Sequence, residues 1–255
     1  MSSELNYPFL VFALSFVSMS LGAWAGFALL RKRRGLDEEA REHFGVVLSA
    51  TLTLLALLVG FSFSMAIQRY DQRKNYEEAE ANAIGTEMVR AGLLPPADAA
   101  KVRALLKSYV DLRIAFYTTR DPQALRDVNA RTAQLQGELW SAVEGPALAQ
   151  PNPVVALAVA GMNDVLNSQG YTQAAWWNRI PHEAWALMAF IAIACNLLVG
   201  YGARSARGAG ILLLILPLIV AVAFELIADI DSPRGGLIHV VPQNLRSLQD
   251  SLPPK

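Results

Sequence analysis

Apolar residues fall into four long runs separated by stretches dense in charge, and this pattern predicts an all-α protein. Residues 8–30, 44–67 and 184–203 contain no Asp, Glu, Lys or Arg, and residues 208–228 contain only Glu225. Each run reaches the roughly 20 residues that a helix needs to cross a bilayer. In hydrocarbon, backbone N–H and C=O groups must be bonded within the segment, so helices are the expected form. The second run passes without a proline into Gln68-Arg69-Tyr70-Asp71-Gln72-Arg73-Lys74, and the next proline is Pro95. One helix over residues 44–91 is therefore predicted, about 70 Å long against a hydrocarbon core of about 30 Å. A rod of that length lines the membrane and projects beyond it, which suits a conduit or a signalling stalk.

Between the second and third runs, the spacing of apolar residues changes to helical amphipathicity. Val102, Leu105, Tyr109, Leu112 and Phe116 recur at intervals of three and four, and Leu125, Val128, Thr132, Leu135 and Leu139 continue the rhythm. A shorter helix is expected over 153–167. Pro95-Pro96, Asp121-Pro122 and Pro151-Asn152-Pro153 punctuate these segments. The predicted organisation is spans one and two in 1–67, a helical extramembrane domain continuing the second helix in 68–181, spans three and four in 182–230, and a closing turn and short helix in 231–255. Residues 237–241 read as a short strand. Trp176, Trp177 and Trp185 read as interfacial anchors beside the third span. Gly22 and Gly26 form a small-xxx-small pair in the first, and Pro217 is expected to kink the fourth.

Composition agrees: 53% hydrophobic residues and a mean hydropathy of +0.30 are high for a soluble domain, and the four runs account for them. The first run reads as an anchored span rather than a cleavable signal, being too long for an h-region and followed by Arg31-Lys32-Arg33-Arg34. Lys plus Arg balance Asp plus Glu at 22 each, which gives no electrostatic case for nucleic acid. Cys195 is the single cysteine, so no disulfide framework exists. His43, His182 and His239 lack metal-ligand spacing, and neither a metal nor a cofactor is expected. No H-E-x-x-H, G-x-S-x-G or P-loop pattern is present, so no enzyme is expected.

Orientation rests on the short loops. Residues 31–43 carry Arg31, Lys32, Arg33, Arg34 and Arg41, and the loop 204–207 carries Arg204 and Arg207. The positive-inside rule makes both cytoplasmic and the 68–181 domain periplasmic. Arg69, Arg73, Lys74, Arg179, Arg234 and Arg246 on the other side pull against this.

The residues that carry candidate chemistry lie at membrane ends. Phe61, Phe63 and Ile67 are candidates for a pore constriction, and Gly60, Ser62 and Ser64 for pore lining or close helix packing. Arg69 and Arg73 form a possible basic collar, or pair with neighbouring carboxylates. Glu225 lies inside the fourth span, with Asp229 four residues on and Asp231 beyond. An ionisable group there marks a functional site, snorkels to the headgroups, or pairs with Arg69 or Arg73 on the second helix. A ring of such carboxylates would attract cations.

Two motif sets carry a resemblance. Leu58-Val59-Gly60-Phe61 followed by Arg69-Tyr70-Asp71-Gln72-Arg73 looks like the end of the second span of bestrophins. Gly60-Phe61-Ser62-Phe63-Ser64-Met65, Glu78-Ala79-Glu80-Ala81-Asn82-Ala83-Ile84-Gly85, Leu93-Leu94-Pro95 and Asp231-Ser232-Pro233-Arg234-Gly235-Gly236-Leu237 resemble more closely a bacterial family called bestrophin-like. The resemblance implies a homo-oligomer, pentameric by analogy, in a bacterial inner membrane. It also implies a central pore lined by the second span, with inorganic ions, the lipid bilayer and other copies of the chain as partners. It implies a cytoplasmic extramembrane domain, opposite to the charge-based orientation. The chain has only Asp229 and Asp231 where calcium-activated bestrophins carry a dense acidic cluster, so calcium gating is not implied. Two functions are expected: an ion channel leaning to cations, or a non-conducting scaffold or sensor whose helical domain binds a partner.

Overall fold

A computed structural model describes residues 7–30, 38–203 and 206–252. Four helices are long and apolar enough to cross a membrane. Helix α1 (Pro8–Ala25) runs into a π-helical turn, Gly26–Leu30; helix α2 spans Glu38–Arg90 without interruption; α3 is Pro96–Thr118, α4 Pro122–Ala149, α5 Pro153–Trp177, α6 His182–Gly202, α7 Ala206–Asp231 and α8 Gln243–Ser251. No strand occurs among the described residues, and 238–242 is irregular backbone between a turn and α8. The expectation of a strand at 237–241 is corrected by Asp229, whose side chain binds the Leu237 and Ile238 amides. Prolines occupy the first turn of α1, α3, α4 and α5, where a missing N–H costs nothing. Asp121 caps α4 through the Ala124 amide at 2.6 Å, and Asn152 caps α5 through Val154 and Val155 at 2.9 and 3.0 Å.

The chain divides into two compact units. One comprises the residues up to Arg69 with Arg179–His239; the other comprises Tyr70–Asn178 and the residues from Val240. Helix α2 contributes to both.

The first unit is built on α1, the first half of α2, α6 and α7. Met19, Leu55, Met188, Ile191, Ala192, Cys195, Val220, Ala221 and Phe224 form its core. Glycine makes the α1–α6 contact possible. A Cβ on Gly26 would meet the Leu197 carbonyl, and one on Gly200 would meet the Ala23 carbonyl, both closer than real Cβ atoms come. Gly22, the other half of the small-xxx-small pair, faces Ile193.

The second unit packs the continuation of α2 against α3, α4, α5 and α8. Its core contains Ile84, Val102, Leu106, Tyr109, Val110, Phe116, Leu139, Val143, Met162, Val165 and Leu245. Helix α5 continues ten residues past the predicted end at 167. Ser168 turns its hydroxyl back onto the Val165 carbonyl at 2.7 Å, and Thr172 reaches a buried carboxylate. This extension places Trp176 inside the unit rather than at a membrane interface. Its ring sits 4.9 Å from Phe116 and 5.4 Å from Tyr117, centroid to centroid. Trp177 is exposed, and Trp185 meets Phe224 edge-on at 6.0 Å.

Candidate functional site

Helix α2 is the span that the rest of the chain covers least. Only 6% of its most apolar 18-residue stretch is buried, against 44% for α7 and 39% for the stretch that includes α6. Leu55, Ser62 and Ala66 are buried against the rest of the chain. At about 100° per residue, the opposite face carries Val46, Thr53, Leu57, Gly60 and Ser64, with Ser49 and Ile67 at its edge; Val46 and Leu57 are exposed. Ser49, Thr53, Gly60, Ser64 and Ile67 are all exposed. Phe61, 65% exposed, and Phe63, half-buried, flank this stripe on opposite sides. The predicted constriction and lining residues thus separate: Ser62 faces inward, and the others lie on or beside the bare face.

Asp229 and Asp231 form a clasp at the end of α7. Asp229 Oδ1 accepts hydrogen bonds from the Leu237 and Ile238 amides at 2.9 and 3.2 Å. Ser232 Oγ accepts from the Gly235 amide at 3.0 Å. Gly236 has φ +70°, and a Cβ there would strike Asp229 and Pro8, so the Asp-Ser-Pro-Arg-Gly-Gly motif needs glycine at that position. Asp231 accepts from the Ile180 amide at 3.0 Å and from Arg69 Nη1 at 3.5 Å. Burial pulls the Arg179 guanidinium below its ordinary value, and the charge of Asp231 opposes that fall. Glu225 is half-buried. Arg73 belongs to the other unit and is almost fully buried there. Of the basic residues behind the orientation argument, Arg31, Lys32, Arg33, Arg34 and Arg204 lie outside the described residues.

Sequence reasoning missed a buried polar face on the second half of α2. Arg73, Glu77, Glu80 and Glu87 all point into the second unit. Glu77 holds the first turn of α8, accepting from the Leu245 amide at 2.9 Å and Asn244 Nδ2 at 2.6 Å. Glu80 accepts from Arg113 Nε at 2.5 Å, Tyr117 OH at 3.3 Å and Thr172 Oγ1 at 3.3 Å. Arg113 also lies 4.4 Å over the Phe116 ring. Burial raises the Arg113-facing Tyr109 and Tyr117 phenols well above their ordinary range, and the Glu80 charge adds to this. Glu87 differs from the others. It is fully buried, neither carboxyl oxygen has a hydrogen-bond partner, and Gly161 of α5 packs against it. Burial raises its pKa from 4.5 to about 8, against the pull of Arg90 and with a further push from Asp164. The signal was present in the spacing: positions 77, 80, 84, 87 and 91 share a helical face on which Ile84 and Ala91 are apolar. The glutamates on that stripe masked its amphipathicity.

Four membrane-spanning helices with a helical unit inserted between the second and third define a multi-span membrane protein of wholly helical class. Residues 13–245 match the Bestrophin-like domain, and the chain belongs to that family. Solved structures agree on the fold. A bacterial bestrophin homologue from Klebsiella pneumoniae superposes with a TM-score of 0.65 at 13% identity, covering 96% of this chain and 99% of that one. A single-residue variant of a bacterial bestrophin homologue from the same organism gives 0.66 at 12% identity, over 95% and 98%. A search of curated proteins finds no match.

Proposed function

We propose that the chain is one subunit of a homo-oligomeric ion channel whose central pore is lined by α2. The observation that carries this reading is the bare face of α2: a membrane span left uncovered by the rest of the chain, on which the small or hydroxyl residues Thr53, Gly60 and Ser64, with Ser49 at the edge, alternate with exposed Val46 and Leu57. Membership of the Bestrophin-like family supports it. Apolar side chains left exposed on the second unit, among them Val89, Leu148, Val154 and Leu157, support self-association as well. Phe61 and Ile67 narrow the pore on this reading, and Phe63 packs between neighbouring α2 helices. The pentamer follows the family analogy.

The lean to cations rests on Glu225, because Asp229 and Asp231 already accept backbone and arginine hydrogen bonds. On this reading the protein sits in the bacterial inner membrane with the basic segments 31–43 and 204–207 cytoplasmic. Mass measurement of the detergent-solubilised particle tests the assembly. Four or more copies support a pore, whereas a monomer removes it and favours a scaffold that binds a different partner. Reversal potentials in asymmetric KCl test selectivity. Wild type should favour K⁺ over Cl⁻, and Glu225→Gln should reduce that preference; an anion-selective wild type would overturn the lean.

A further inference from the structure

A groove of about 460 Å³ lies in the first unit between the start of α1 and the start of α6, with Phe224 of α7 at its back. Its walls are Leu14, Met19, Ala189, Ala192 and Ile193. The two hydroxyls within it are already committed as donors. Ser15 Oγ donates to the Val11 carbonyl at 2.6 Å, and Ser18 Oγ donates to the Ser15 carbonyl at 3.0 Å. Beyond these hydroxyls the groove is apolar along its length except for Trp185 Nε1, a buried donor on its lining that has no hydrogen-bond partner among the described residues. At one end stands His182, exposed at the first position of α6.

Helices α1 and α6 run parallel here. Residues 10–19 border 182–193, and further along Ala23 meets Gly200. The groove thus starts at one membrane interface and descends. From Leu10 to Met19 it is about 14 Å deep at the helical rise per residue. Half of a hydrocarbon core of about 30 Å is about 15 Å, so its depth is that of one leaflet. No residue of α2 lines it, which keeps it separate from the face assigned to the pore. The walls of an apolar cleft of this size gain dispersion contacts from whatever fills it, and in a bilayer the species at hand is hydrocarbon. We infer that this groove is a phospholipid site. One acyl chain lies along α1 and α6, and a headgroup or ester oxygen accepts a hydrogen bond from His182.

Tryptophan quenching by brominated lipid tests this in the full-length protein. Trp185 lines the groove, whereas Trp24 is exposed at the opposite end of α1 and reports ordinary lipid contact. The protein is reconstituted in phosphatidylethanolamine/phosphatidylglycerol vesicles carrying phosphatidylglycerol brominated in the upper part of one chain. Trp140, Trp176 and Trp177 of the second unit emit in every variant, so the Trp185 signal is the difference between wild type and Trp185→Phe, and the Trp24 signal the difference between wild type and Trp24→Phe. The expected result is strong quenching of Trp185 that is lost when Ala189→Phe fills the groove, with quenching of Trp24 unchanged by the same substitution. Ala186→Phe, at the mouth, should act in the same direction and serves where Ala189→Phe fails to fold. Trp185 quenching that is absent from the outset, as when a second copy of the chain covers the groove, overturns the inference. Quenching that survives both substitutions overturns it equally.

Discussion

Glu87→Gln should remove a pH dependence of stability that one side chain imposes. Glu87 is sealed between α2 and α5 with no donor to either oxygen, so the folded state favours the neutral carboxyl, and its pKa rises from 4.5 to about 8. Between those values the folded protein holds a proton that the unfolded chain has released. Stability from this group is therefore fully present below about pH 4.5 and is lost as pH climbs towards 8, at up to about 1.4 kcal/mol per pH unit. For a chain of this size that slope corresponds to roughly 3–5 °C in Tm per pH unit. Glutamine keeps the shape and cannot ionise. The measurement is thermal unfolding of the detergent-solubilised protein from pH 5 to 9, followed by near-ultraviolet circular dichroism, for wild type and Glu87→Gln side by side. Their difference cancels the other titrating groups. Wild type should lose stability relative to the variant through this window, and the curves should run parallel above about pH 8. Curves parallel throughout would refute the buried, unpartnered carboxyl as the cause. The charge of Asp164 raises the Glu87 pKa, so Asp164→Asn should move the window to lower pH.

Three further substitutions test other parts of the structure. Arg113→Met strands Glu80 in the second unit and should cost about 3–5 kcal/mol, whereas the double variant with Glu80→Gln should recover most of it in the same unfolding assay. Gly200→Val should break the α1–α6 contact, seen as aggregation on solubilisation, while Gly145→Ala, where a Cβ meets nothing within 4 Å, should leave the protein monodisperse. Asp229→Ala frees the Leu237 and Ile238 amides and should cost about 1–3 kcal/mol, with faster hydrogen exchange at both amides as the specific readout.

The spans were legible because hydrocarbon imposes a simple rule on side chains, and α2 was legible as one rod because nothing between Phe44 and Arg90 interrupts a helix. The rest was hidden where polar residues serve packing. Glu77, Glu80 and Glu87 look like a solvated face until Arg113, Asn244 and Gly161 are brought to them from distant positions. Asn167-Ser168-Gln169-Gly170 looks like a helix end, yet Ser168 and Thr172 find partners that carry α5 onward to Trp177. The charge pattern left open a pairing of the carboxylates after the fourth span with Arg69 or Arg73, and Asp231 does meet Arg69; the amides of Leu237, Ile238 and Ile180 that bind Asp229 and Asp231 are invisible to a charge pattern. On α2, spacing alone could have separated Ser62 from Gly60 and Ser64, since neighbours in sequence sit about 100° apart on a helix. Which face is bare required the fold.

Single-channel recording of the purified protein in planar bilayers tests the central claim most directly. Wild type should pass discrete currents, and Phe61→Ala, which removes an aromatic ring from the exposed flank of α2, should raise their amplitude. Silence from wild type, Phe61→Ala and Phe63→Ala alike, in preparations shown to be folded and oligomeric, would contradict a pore lined by this helix.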